Sequence, residues 1–563
     1  MEEQIRTAVS EALNQVGASG VSFAVERPAS HLHGDYATNA ALAVAKILGK
    51  KPHEVADELA RFLIDALGKD IASHVTVAGP GFVNITLARE SVTLAVAEAD
   101  AKGEEWGKNT AESGKRVIVE YSNPNAFKEM HIGHLVGTVV GEAVSRLVEN
   151  SGAKVARDTF GGDIGPNVAK ALWGLRKAGI SDPATANELG TAYTEGSNAY
   201  ETSPEAKPPF AKGSGGAREE IDALNQAIYA GDDRELMELW RKGREVSMEE
   251  FRRIWKLLGT HFDFEFFDSD TTETGLRVVH DGLAKGIFEK SDGAVIYNGE
   301  KKGVHTMVFI TSHDTPTYEA KDIGLAFLKE ERWPSDKIIV ITGNEQTGRF
   351  KTVLAALTDV APLLAAKTMH LATGFLKLAS GKMSSREGNV ITAADFIKEV
   401  ISQASEKNTD PLIAEQVAIG AIKYMILRQA PGSDIIFDAE KSLSLDGDSG
   451  PYLQYALVRA KSVLAQSKVE SQKSQVGSPE EPYLFERIIL HFPEVAARAA
   501  RELAPNLLVT YLTELASEWN SFYAKERIVG GDHEAYKLML ARAFVNTMTN
   551  GLTLLGIPTP ERM

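Results

Sequence analysis

One stretch narrows the choice of fold more than any other. An apolar strand, Val117-Ile118-Val119, runs into the polar loop Pro124-Asn125-Ala126-Phe127-Lys128-Glu129-Met130-His131-Ile132-Gly133-His134. A helix follows, with apolar positions at Leu135, Val139, Val140, Ala143 and Leu147. Strand, polar loop and helix in that order build an open parallel α/β sheet, which receives nucleotides at strand carboxyl ends and helix N-termini. His131 and His134 are three residues apart at the start of the helix, so their rings share one face. Gly133 between them lets a base or ribose approach the backbone. Alone, such a histidine pair is a weak signal, since most are structural.

A chain of 563 residues is too long for one core and implies three or four domains. Residues 1–108 read as a separate α+β unit. Ile5, Ala8, Val9, Ala12, Leu13 and Val16 fall at helical spacing, and the strands Val75–Val77 and Phe82–Leu87 are joined by Gly79-Pro80-Gly81. Residues 109–395 repeat strand, loop and helix. Val308-Phe309-Ile310 and Ile338–Ile341 are continuous apolar runs, the pattern of buried parallel strands. A helical insertion is expected at about 185–260, with a loop from Glu201 to Gly216. Residues 396–445 read as a helical connection. Residues 446–563 read as an all-α bundle, with Ser449-Gly450-Pro451 opening a helix and a linker at 475–482.

There is no cysteine, so disulfides and cysteine-held zinc are excluded. No apolar run is long enough to span a membrane, and Met1-Glu2-Glu3-Gln4 is no secretory signal. The cytoplasm is the expected location. The net charge of −16 argues mildly against nucleic acid, but binding depends on local cations such as Arg241, Arg244, Arg252, Arg253 and Arg459.

Far downstream comes Gly381-Lys382-Met383-Ser384-Ser385-Arg386-Glu387-Gly388-Asn389. Together with the histidine loop it resembles the paired signature elements of class I aminoacyl-tRNA synthetases. That chemistry attacks the α-phosphate of ATP with a carboxylate, and charge builds on the leaving pyrophosphate. Lys382 suits the β- and γ-phosphates, and Ser384 and Ser385 can donate to their oxygens. Where a second lysine is common in this element the chain has Ser385, which bears on loop mobility. In this family the lysine of the second element is sometimes missing, and one just upstream of the histidines is thought to replace it. This chain has both Lys128 and Lys382.

The amino acid is suggested by further residues. A guanidinium needs carboxylates that accept paired N–H donors. Glu120 ends the first strand. Tyr318 and Asp322 are four apart on a helix after the strand at 308–310, and Gln346 follows the strand at 338–341. These strand ends are expected to converge. The stretches Glu120-Tyr121-Ser122-Asn123-Pro124-Asn125, Tyr318 to Asp322, and Gln346 resemble the arginine pocket of arginyl-tRNA synthetases. The resemblance implies substrate contacts by Glu120, Ser122, Asn125, Tyr318, Asp322 and Gln346. Phe160-Gly161-Gly162-Asp163-Ile164-Gly165 resembles the family's glycine-rich loop, which implies that Gly133, Gly162, Asp163, Gly165, Met383, Ser384 and Ser385 lie at ATP. Lys128, His131, His134 and Lys382 would be catalytic.

The resemblance extends over nearly the whole chain. Gly34-Asp35-Tyr36-Ala37-Thr38-Asn39 resembles the family's N-terminal domain, understood to contact the tRNA elbow. Gly447–Tyr455 resembles the start of its anticodon-binding domain. Tyr452, Tyr455, Phe522 and Tyr523 could stack on bases, with Arg459 and Met563 beside them, although packing between helices is the commoner fate of any one aromatic. The resemblance implies an arginine–tRNA ligase of multidomain α/β architecture: a Rossmann-type catalytic domain, an N-terminal α+β domain and a C-terminal helical bundle. Its substrates would be L-arginine, ATP with Mg²⁺ and arginine tRNA, with no zinc, no resident metal and no permanent cofactor. It would act as a monomer and without a membrane. A cysteinyl-type enzyme would need zinc, and a glutamyl type would want a cationic pocket. A small nucleotidyltransferase or a silent tRNA-binding protein remain alternatives. An arginine-dependent pyrophosphate-exchange assay with tRNA separates them.

Overall fold

The computed structural model describes residues 1–28, 30–203, 216–379, 391–467 and 477–563. The N-terminal unit packs the helices Glu2–Gln15 and Pro52–Leu67 on an antiparallel sheet. Its strands are β1 (Val25–Glu26), β2 (Tyr36–Thr38), β3 (Ala72–Ala78) and β4 (Phe82–Leu87), in the order β1-β2-β4-β3. Gly34 has φ +88°, and a Cβ there would meet the Ile85 carbonyl oxygen at 2.6 Å, so glycine is required. The turn aims the next two side chains at the C-terminal bundle. Asp35 accepts from the Leu87 N–H and pairs with Arg487, while Tyr36 donates its hydroxyl to Glu494 at 2.6 Å.

The central unit is organised by five parallel strands. They are β5 (Arg116–Glu120), β6 (Lys154–Gly161), β7 (Phe264–Phe267) and, beyond a small second sheet, β11 (Lys337–Gly343) and β12 (Thr368–Thr373). The second sheet holds β8 (Glu289–Ser291), β9 (Ala294–Tyr297) and β10 (Met307–Ile310). The parallel order is β12-β11-β5-β6-β7. The chain winds outward from β5 through β6 to β7, and on the other side from β11 to β12. The order therefore reverses between β5 and β11, and a loop leaving β5 opens into the crevice where such sheets bind ligands. Val117, Ile118 and Val119 are all buried, as strands covered on both faces require.

The run at 308–310 corrects the sequence reading. It forms β10, antiparallel to β9 and outside the parallel sheet. A continuous apolar run reports burial and not the direction of its neighbour. The insertion between β6 and β7 also starts earlier than expected. Its helices are Pro166–Lys177, Ala186–Thr202, Ala217–Ala230 and Arg234–Leu257. The loop expected from Glu201 to Gly216 falls largely outside the described residues.

After β13 (Leu376–Leu378) come the helices Ala393–Lys407 and Pro411–Leu427, and β14 (Ile435–Phe437) pairs in parallel with β13. The C-terminal bundle includes Gly450–Gln466, Pro505–Lys525 and Glu534–Leu554. Ser449 caps the first of these, accepting from the Tyr452 N–H at 3.1 Å. One apolar core runs from the helix Ile132–Asn150 through the connecting helices into the bundle. A polar clasp lies along that seam. Arg146, on the helix Ile132–Asn150, donates to the Thr553 and Gly259 carbonyls at 3.0 and 2.9 Å. Lys423 is buried and donates to the carbonyls of Leu258, at 2.6 Å, and Gly556. Burial and the neighbouring Arg146 lower its pKa to about 7.

The helix Ile132–Asn150 lies close beneath β5 because Gly141 faces Tyr121. A Cβ on Gly141 would stand 2.2 Å from the Tyr121 ring, and that ring is held by hydroxyl bonds with Glu142 and Thr260 at 2.9 and 2.7 Å. Gly141→Val should destabilise the protein by ~1–3 kcal/mol, the usual range for overpacking, read as a lower urea midpoint. An unchanged midpoint would show that Tyr121 can move aside.

Candidate active site

The loop after β5 is held in an unusual conformation. Ser122, Asn123 and Phe127 have φ of 74°, 49° and 64°. Side chains in this region cost ~1–3 kcal/mol each and persist only where their surroundings dictate it. Here the surroundings do. The Asn123 amide donates to Glu120 at 2.8 Å and accepts from the Phe160 N–H at 2.9 Å. Ser122 Oγ accepts from Trp255 Nε1 and from the Thr138 hydroxyl, each at 2.9 Å. The Phe127 N–H donates to Ser247 at 2.9 Å, and its ring lies against Gly243, where a Cβ would be 2.3 Å away. Ser122 is thus buried and engaged by the protein, so its hydroxyl serves the loop before any ligand.

The two imidazoles meet at the start of the helix. Their ring centroids are 3.7 Å apart. His131 Nδ1 accepts from the Gly133 N–H at 3.1 Å, and His134 Nδ1 accepts from the His131 N–H at 3.2 Å. A neutral ring that accepts at Nδ1 carries its proton on Nε2. Both rings are neutral near pH 7. Loss of hydration and then the Lys128 charge lower His131. Burial, then His131 and Lys128, lower His134 to about 3. The site therefore holds two Nε2–H donors, with Lys128 near them, its Nζ 4.2 Å over the Tyr193 ring of the insertion.

Lys382, Met383, Ser384 and Ser385 lie outside the described residues. The chain just beyond them is placed. Ala393 N donates to Met130 O at 2.6 Å, Ile132 N to Ile391 O at 3.3 Å, and Thr392 bridges His131. The segment leaving the second element therefore runs alongside the histidine loop, although the two are far apart in sequence.

The glycine-rich loop touches the same place from β6. Gly162 donates to Asn125 Oδ1 at 3.2 Å and accepts from the Ala126 N–H at 2.9 Å. A Cβ on Gly162 would lie 2.4 Å from Asn125 Oδ1. Asp163 is fully buried. Its carboxylate accepts from Arg244, at 3.0 Å, and from the N–H and hydroxyl of Ser269, at 2.9 and 2.7 Å. It ties the loop to the insertion and to the helix Asp268–Ala284. Gly165, with φ +108°, starts the helix Pro166–Lys177 with open space where a side chain would be.

Glu120 and Asp322 come together. They line one small cavity of about 30 Å³ with Leu325, Lys329, Val340 and Phe350. Glu120 pairs with Lys329, which also reaches Asp158 at 2.9 Å. Asp322 pairs with Arg349, whose Nε donates to Gln346 Oε1 at 2.8 Å. Burial raises the Asp322 pKa to about 7 despite the opposing Arg349 charge. Tyr318 opens the same helix, Tyr318–Arg332, and is half-exposed.

Sequence reasoning missed Asp268, a buried acid directly after β7 that pairs with Lys321 at 2.9 Å. The rule that singled out Glu120, an acid ending a parallel strand, would have found it. It also missed the cations. Lys321, Leu325 and Lys329 share one helix face and all three are buried; lysines on an apolar stripe were the available signal.

In the bundle, Arg459 stacks over Tyr523 at 4.1 Å and lies 5.9 Å from the Tyr455 ring. All three are partly open to solvent, as are Tyr452 and Met563. Phe522 is a correction. It is buried against Tyr483, Phe485 and Trp519, so core packing and not base stacking accounts for it. Among the described residues no cluster of acidic or histidine side chains is arranged to hold a metal ion, and no helix is long and apolar enough to cross a membrane.

The histidine values carry a stability signature. An unfolded chain protonates His134 near pH 6.5, whereas the folded site resists until about 3. Protons therefore favour the unfolded state through that window, and stability falls as pH drops below 6.5. His134→Asn should lose less stability than the parent between pH 7 and pH 5, measured by urea unfolding. Equal losses would mean that His134 titrates normally.

Comparisons with known proteins match three stretches of the chain. The model for the catalytic domain of class I tRNA synthetases (R) matches residues 95–439. The arginyl tRNA synthetase N-terminal domain model matches 3–87, and the DALR anticodon binding domain model matches 453–563. An arginine–tRNA ligase of Treponema denticola is 29% identical over 571 residues, covering 96% of this chain and 94% of the relative. One from Halothermothrix orenii is 29% identical over 579 residues, covering 100% and 99%. The solved arginyl-tRNA synthetase of Thermus thermophilus superposes with a TM-score of 0.79 at 25% identity, covering both chains fully. That of Plasmodium falciparum shares the fold, with a TM-score of 0.80 at 20% identity, covering 100% of this chain and 99% of that one.

Proposed function

The chain belongs to the class I arginyl-tRNA synthetases, and from that premise we propose that it activates L-arginine with ATP and transfers it to arginine tRNA. The observation that carries the choice of arginine is the meeting of Glu120 and Asp322 around one small cavity between the sheet and the helices Tyr318–Arg332 and Thr347–Val360. A planar cation fits a carboxylate and amide edge such as Asp322 with Gln346. Tyr318 would flank it, and Asp268 adds a further acid.

In the first step, ATP enters as its Mg²⁺ complex, written here as substrate. The arginine carboxylate attacks the α-phosphorus, and the bond to the β-phosphate oxygen breaks, giving arginyl-adenylate and pyrophosphate. His131 and His134 present neutral Nε2–H donors to the phosphate oxygens. Lys128 and Lys382 supply positive charge on the pyrophosphate side, so neither bears the whole load. Gly165 leaves open space beside its backbone, while Gly133 and Gly162 let the His131 ring and the Asn125 amide lie close to theirs. Asn125 has its Oδ1 taken by Gly162 and would use its Nδ2 on the amino acid. In the second step, a ribose hydroxyl of the terminal tRNA adenosine attacks the adenylate carbonyl, and AMP leaves. Tyr455, Arg459 and Tyr523 form the platform proposed for anticodon bases, with Tyr452 and Met563 nearby. A monomer acting in the cytoplasm completes the reading.

Purified protein should charge arginine tRNA with labelled arginine and ATP, while lysine gives no charging. Absence of arginyl-tRNA with intact tRNA present would overturn the proposal. Asp322 yields a sharper test. Its raised pKa means that the carboxylate needed for a guanidinium is lost as pH falls through about 7. Arginine affinity should weaken from pH 8 to pH 6 in titration calorimetry. Asp322→Asn should flatten that dependence and cost about 2–5 kcal/mol of binding. Near-normal affinity in that variant would remove Asp322 from the pocket.

A further inference from the structure

Glu120 and Asp322 line the cavity, Asp268 is a third buried acid of the unit, and each already has a cation. Glu120 has Lys329, Asp268 has Lys321, and Asp322 has Arg349. The three pairs are not alike. The side chains of Lys329 and Lys321 are 2% and 4% exposed, whereas that of Arg349 is 22% exposed. Arg349 also differs chemically. It presents a guanidinium, with Nη1 on the Asp322 carboxylate and Nε on the Gln346 amide oxygen.

We propose that the Arg349 guanidinium occupies the place of the substrate guanidinium, so that L-arginine binds by displacing it. This rests on the reading of Asp322 and Gln346 as substrate contacts. The two groups in question are a carboxylate and an amide, and Arg349 satisfies both with the donor pattern that the substrate side chain carries. Beneath them the cavity of about 30 Å³ admits a water or two but not a second guanidinium. Two guanidiniums on one carboxylate would also repel each other. Arg349 is poised to leave. It sits in the first turn of the helix Thr347–Val360, where a cation opposes the helix dipole, and Asp322 holds it against that. Its exposed edge gives it a route to water that Lys321 and Lys329 lack.

An internal competitor reduces apparent affinity by the fraction of molecules with the pocket open. The effect is uniform for every ligand that needs Asp322. It sets how much arginine is required and leaves the choice among amino acids to the pocket walls.

The test is titration calorimetry of the full chain with L-arginine at pH 8.5, above the Asp322 value of about 7 that holds with Arg349 in place. Arg349→Met should bind roughly tenfold more tightly than the parent, a shift set by how fully the pocket is plugged. Arg349→Lys keeps a cation but cannot span Asp322 and Gln346 together, and should also bind more tightly, by a smaller factor. It serves as the measurement if the methionine variant melts early. Equal or weaker binding by whichever folded variant is measured, with binding lost in Asp322→Asn, would overturn the displacement and make Arg349 a support of the pocket. Parent-like binding by Asp322→Asn would instead remove the pocket reading itself, and the inference with it.

Discussion

Carboxylates drawn out of water at one edge of a sheet set the terms for this molecule. Glu120, Asp158 and Asp268 are buried, and Asp322 nearly so. An ionised carboxylate left alone there would take up a proton. Two buried lysines of a single helix, Tyr318–Arg332, answer three of the four acids: Lys329 serves both Glu120 and Asp158, and Lys321 serves Asp268. Removing one member of such a pair typically costs ~3–5 kcal/mol, so these walls are rigid before any ligand arrives. Asp322 is the exception, because its partner reaches solvent. On the proposed displacement, rigidity and exchangeability fall to different residues.

The phosphate side follows a complementary logic. Two imidazoliums stacked at 3.7 Å beside a lysine would repel one another. Nδ1 acceptance and burial keep both rings neutral. On the proposed function, the histidines would act as directional donors and charge would fall to Lys128 and Lys382. The strained loop after β5 is what brings donors and acids within reach of one substrate, since it turns the chain from Glu120 to His131 across the crevice.

Much of this was legible in the residues because it is local. The strand at 117–119, its loop and its helix follow from periodicity alone, and the paired elements could be matched as strings. What failed was tertiary. The run at 308–310 has the composition of a buried strand, but its pairing with β9 depends on a partner that composition does not name. Phe522 adjoins the partly open Tyr523 in sequence, yet three other rings enclose it. Asp163 sits in a glycine-rich loop, yet faces Arg244 and Ser269. Above all, a list of acids does not reveal which cation each will meet. Lys321, Lys329 and Arg349 became meaningful only once the helices carrying them were placed.

The helix that begins at the two histidines also carries, further along its length, the guanidinium that grips the Thr553 carbonyl near the chain's end. Beside it the Lys423 amine fastens Leu258 to Gly556. The candidate site and the far bundle are therefore mounted on a common axle. Any displacement of the bundle would have to turn that axle or break its fastenings.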